Sequence, residues 1–112
     1  VGSHGRRPSL VASGRWHELS LFEQMGNIGS ETNRALRSRD KDKQLFENSI
    51  FRALELLDFT IADPRWRKRL KELMRVREVL CDAFLGGKEY NSSLEDIDTY
   101  FFQFALAARL KK

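Results

Sequence analysis

This chain of 112 residues has one cysteine, two histidines, two prolines and no apolar run of the length a bilayer requires, which is about 20 residues. Each shortage excludes something. Cys81 alone cannot form an internal disulfide and fits a reducing compartment, so a cytoplasmic location is the default expectation. His4 and His17 support neither a His/Cys metal cluster nor a Cys-His nucleophile pair, and a catalytic triad is not expected. No glycine-rich phosphate loop or dinucleotide fingerprint is present. No cofactor, metal, membrane span or signal-peptide apolar core is therefore expected. With 41% hydrophobic and 32% charged residues, the chain has the composition of a folded globular domain rather than of a disordered or membrane-embedded one.

The formal charge of +4 invites a nucleic-acid reading, but much of it is local. Removing Arg6, Arg7 and Arg15 from the 20 basic residues leaves 17 against 16 acidic ones. From Trp16 onward the chain is nearly neutral, and its global field gives little reason to bind phosphate. Residues 1–14 contain Gly2, Gly5, Pro8 and Gly14 with few large apolar groups. They read as a flexible arm, within which Gly2-Ser3-His4 fits either a cloning remnant or native chain.

What the chain does contain is helical periodicity. Phe22, Met25, Gly29, Thr32 and Leu36 fall within a narrow arc at 100° per residue, predicting a first helix over residues 16–37. Gly26 and Gly29 each cost about 1 kcal/mol of helix propensity relative to alanine. Close approach of a neighbouring backbone is their ordinary explanation; a local kink or a small ligand niche is the alternative. A polar link over residues 38–42 precedes a second helix, 43–62, whose apolar arc includes Leu45, Phe46, Ile50, Leu54, Leu57 and Ile61. Asp63-Pro64 restarts the chain as N-cap and first helical residue. A third helix runs to about Leu85, ended by Gly86-Gly87. Ser92 or Ser93 can cap a fourth, with Glu95, Asp96 and Asp98 near its positive end. No segment alternates with period two, so the expectation is an all-α domain over residues 15–112, built as an up-down-up-down four-helix bundle.

Three groups of residues break this pattern. The fourth helix has a coherent core face of Leu94, Ile97, Phe101, Phe104 and Ala108. Phe102 and Leu106 stand apart in its polar arc, spaced i to i+4 on one surface. Phe51 and Phe59 intrude likewise on the second helix. Contiguous apolar patches mark interaction surfaces, so these four residues are the candidate interface, with a twofold homodimer as the commonest symmetry; an irregular bundle that buries them internally is the alternative. Arg77 falls in the middle of the third helix's inward arc, where a guanidinium needs a partner. Either its stem carries the charge to the rim, or an acid such as Glu18 meets it inside, or it anchors a ligand. Finally, Arg67, Lys71 and Arg75 form an i, i+4, i+8 ridge beside Arg65, Lys68 and Arg69. This cluster could hold an anion or nucleic acid, or be a solvated face partly neutralised by Glu72, Glu78 and Asp82.

The stretches WHELSLFEQMGNIGSE, RALELLD, REVLCD and YFFQFALAAR resemble a small prokaryotic all-helical family without an assigned activity. That resemblance implies no catalytic residues. An architectural likeness to HEPN-type and ribosomal-intervening-sequence four-helix bundles is analogy at the level of fold. Active HEPN ribonucleases pair an arginine with a histidine a few residues later, an arrangement that neither His4 nor His17 supplies within a folded helix. Helical nucleoside-triphosphate pyrophosphatases hold magnesium through ExxE and a later ExxD; this chain has Glu55-Leu-Leu-Asp58 but no ExxE. The favoured expectation is a non-enzymatic helical interaction or accessory module that self-associates through the second and fourth helices and can serve a larger protein partner. A nucleic-acid-binding or antitoxin-like module using the basic face is the alternative, followed by a magnesium-dependent nucleotide hydrolase.

Overall fold

A computed structural model describes residues 14–86 and 93–110; most of the expected arm, Gly87 and the alternative cap Ser92 lie outside them. The described residues are all-helical, with four α-helices: α1 (Leu21–Ser38), α2 (Lys43–Ile61), α3 (Leu70–Phe84) and α4 (Leu94–Leu110). Short 3-10 helices at Trp16–Glu18 and Pro64–Arg69 precede α1 and α3.

The first helix begins five residues later than the periodicity predicts because local hydrogen bonding sets its start. Ser20 Oγ accepts from Glu23 N at 3.1 Å, and Glu23 Oε1 accepts from Ser20 N at 2.8 Å. This reciprocal capping box satisfies donors that would otherwise be orphaned at the helix end. Upstream, Leu19 is extended, at φ −83° and ψ 149°, so Trp16 belongs to a separate turn and not to α1. Its side chain is wholly buried.

The third helix also differs from the expectation. Asp63 caps through its side chain, accepting from Arg65 N at 3.0 Å, but the next six residues wind as a tighter 3-10 helix. Trp66 departs from helical angles at φ −104° and ψ 22°. The α-helix proper starts only at Leu70, after Asp63 has gripped Arg65 and the Trp66 indole has donated to Gln24 on α1. At the far end, Gly86 takes φ +113°, a conformation that spares glycine the Cβ clash. Ser93 Oγ accepts from Asp96 N at 3.1 Å and opens α4.

Helix α1 packs extensively against both α2 and α4; α3 lies against α2 and, more sparsely, α4. The α1–α4 contact is close because small residues meet there. A Cβ on Gly29 would stand 2.7 Å from Phe101 Cβ, and one on Gly26 would stand 3.1 Å from Ala105 Cα. Around this seam the core gathers Trp16, Met25, Ile28, Ile50, Leu57, Leu73, Leu80 and Phe101. Burying each large side chain contributes about 1.5–3 kcal/mol before conformational entropy is counted.

Candidate interaction surface

The outward side of α4 follows from its short apolar face. Leu94, Ile97 and Phe101 are buried, and Phe104 packs partly against the same core. With these inward, Phe102 must point outward, where it is 59% exposed. Leu106, one turn later, is 40% exposed, and Leu110 extends the line at 76%. The three form an i, i+4, i+8 apolar ridge. Beside it lies a depression of about 430 Å³ between α1 and α4, floored by Gly26, Gly29 and Ala105 and bordered by Phe102, Asn33 and Arg37. Asn33 Nδ2 donates to both oxygens of Asp98, at 3.2 and 3.3 Å, and fixes one end of it.

The two phenylalanines expected on α2 do not share one environment. Phe51 is 55% exposed, yet its ring meets Phe84 of α3 edge-on at 5.7 Å, and Phe84 also meets Phe46 at 5.8 Å. It therefore caps an aromatic cluster at the α2–α3 edge. Phe59 is half-buried and packs against the core, because local packing reaches beyond the arc that an isolated helical wheel assigns to the interior.

Arg77 takes the route to the rim. Its Nε and Nη2 bond Asp58 at 2.5 and 3.2 Å, with 40% of the arginine side chain still exposed. The acid comes from α2 rather than from Glu18, which is exposed in the turn before α1. The carboxylate raises the guanidinium's already high pKa. An exposed pair of this kind is worth about 0–1 kcal/mol.

The basic ridge is divided. Arg67 sits in the 3-10 segment while Lys71 and Arg75 sit on α3, so the kink interrupts their predicted alignment. Arg65 is engaged with Asp63 at 2.7 Å and Arg69 with Glu72 at 3.0 Å. Arg67 and Lys68 remain exposed, as do Lys71 and Arg75. Among the acids proposed for magnesium, Glu55 pairs with Arg52 at 3.2 Å and Asp58 with Arg77. Among the described residues no group of three or more His, Cys, Asp or Glu side chains is placed to hold a metal ion.

The sequence reading missed a buried polar network that holds the turn before α1 against the turn before α3. Asp63, 3% exposed, accepts from Arg65 and Gln24 and lies 3.5 Å from His17 Nδ1. Gln24 Nε2 donates to Trp16 O at 2.9 Å, and its Oε1 accepts from Trp66 Nε1 at 3.0 Å. Trp16 Nε1 donates to Thr60 Oγ1 at 3.2 Å. Arg65 reaches Leu19 O at 2.9 Å while its guanidinium lies 4.4 Å above the Trp66 ring. The Arg65 hydrogen bonds hold the Asp63 carboxyl well below the usual range, against the opposing effect of burial. Trp16, Gln24, Asp63 and Trp66 give only one local sign in sequence, the Asp63-Pro64 cap. Their convergence over 39 to 44 residues is tertiary.

A second polar tie joins α4 to α3. Tyr100 Oη donates to Glu72 Oε2 at 2.6 Å, while Arg69 holds the other oxygen. Burial first, and then this hydrogen bond, push the Tyr100 phenol upward; the same bond lowers Glu72. The network leaves Tyr100 occupied structurally. No helix among the described residues is long and apolar enough to cross a membrane. No family model, curated protein or solved structure matches the chain.

Proposed function

We propose that the protein is a small non-enzymatic helical interaction module that self-associates, most simply as a homodimer, and so can act as an accessory to a larger assembly. The observation that carries this reading is the exposed ridge of Phe102, Leu106 and Leu110 on α4. Single exposed apolar residues are ordinary; three stacked on successive turns form a patch whose removal from water favours association. The Phe51–Phe84 aromatic edge is a secondary surface on α2. Packing of each helix on its neighbours in sequence, closed by α1 against α4, supports an up-down-up-down bundle as the scaffold.

Light scattering with the full chain tests the reading. A dimer is expected at tens to hundreds of micromolar, reverting to monomer in Phe102→Glu plus Leu106→Glu. A wild-type protein that stays monomeric throughout that range, or a double variant that associates equally well, overturns it.

A further inference from the structure

Five exposed residues of α4, Glu95, Thr99, Phe102, Leu106 and Arg109, follow one another at intervals of four, three, four and three. This spacing draws a single stripe along a helix, the geometry through which two helices pack side by side. The stripe is chemically directional. It has an acid at its N-terminal end, two apolar groups at its middle and a guanidinium at its C-terminal end. It is also centred, since Phe102 is the midpoint both of Glu95 and Arg109 and of Leu94–Leu110 itself.

We infer that two copies of this chain pair through antiparallel α4 helices about a twofold axis at Phe102, with Glu95 of each copy meeting Arg109 of the other. The inference rests on the self-association proposed above and names its geometry. Reversing the stripe about Phe102 exchanges its acidic and basic ends, so a second copy supplies the complementary charges by construction. A parallel pairing would set acid on acid and guanidinium on guanidinium, which is unfavourable. Phe102 then packs on the partner's Phe102, Leu106 lies level with the partner's Asp98 and the partner's Thr99, and Leu110 reaches the first turn of the partner's α4. Glu95 already receives Arg39 Nη2 at 2.6 Å but remains 57% exposed, leaving room for a second cation. From Glu95 to Arg109 the contact is about 21 Å long at 1.5 Å per residue. So short a seam belongs with weak, concentration-dependent dimers.

Sedimentation velocity of the full-length protein at low salt, with circular dichroism to verify folding, separates this geometry from self-association in general. Glu95→Arg and Arg109→Glu are each expected to weaken the dimer about tenfold, because two symmetric exposed pairs become repulsive. Combining both substitutions in one chain should restore it, and mixing the two single variants should give a heterodimer. Arg39→Gln, which releases Glu95 from its own-chain cation, should leave association unchanged or strengthen it. A wild-type dimer indifferent to either single reversal, or unrestored by the double reversal, overturns the antiparallel seam while leaving self-association standing. Equal weakening by Arg39→Gln also overturns it, since Glu95 would then act within its own chain. A monomeric wild type removes both readings.

Discussion

Gly29 and Gly26 show how two identical residues three positions apart can differ in consequence. Alanine gains about 1 kcal/mol of helix propensity at either site. At Gly29, however, the new Cβ would lie 2.7 Å from Phe101 Cβ, and Phe101 is fully buried. Overpacking of this kind costs about 1–3 kcal/mol, so after the propensity gain Gly29→Ala should be destabilising by up to about 2 kcal/mol in urea unfolding. Gly26→Ala, with its 3.1 Å approach to Ala105 Cα, should be nearly neutral. Equal stability changes in the two variants would show that the seam yields more easily than its distances indicate. Asp63 makes a different residue-scale prediction. Its folded pKa is depressed, so the stability it contributes is present above the unfolded carboxylate's pKa of about 4 and is lost as pH falls below that value. Asp63→Asn should cost about 1–3 kcal/mol near neutral pH through weakened hydrogen bonds. The gap from wild type should narrow on acidification. A gap that stays constant from pH 7 to pH 2 would contradict this linkage.

At the scale of the element, propensity and capping decide where helices start, and they compete with periodicity. The apolar spacing over residues 16–37 carries no mark of the break at Leu19, whereas Ser20 with Glu23 three residues later is a capping box readable from sequence. Ser20→Ala should cost about 1 kcal/mol, measured as a lowered denaturation midpoint without loss of helical signal from α2 to α4. No change would mean that the buried Trp16 turn, not the cap, fixes the start of α1. The third helix was legible as an Asp63-Pro64 restart and a glycine stop. Its 3-10 opening was not, because it depends on Gln24 and Arg65 drawing Trp66 and Asp63 into one network. That opening also explains why the basic ridge reads more regularly in sequence than it lies in space.

For the whole molecule, the important division is between side chains that hold the helices together and those left over. Phe102→Glu plus Leu106→Glu alters exposed positions, where stability changes are usually within about 0.5 kcal/mol, so loss of association should occur with unfolding free energy of the monomer nearly unchanged. By itself the sequence determined the all-helical class, the four helices, most of the inward faces and the isolation of Phe102 and Leu106, because these follow from spacing and local caps. Tertiary structure decided that Phe59 is half-buried, that Asp58 rather than Glu18 meets Arg77, and that Asp63, Gln24 and the two tryptophans converge. A helical wheel gives each side chain a direction about its own axis. Only the packing of other helices determines what stands in that direction.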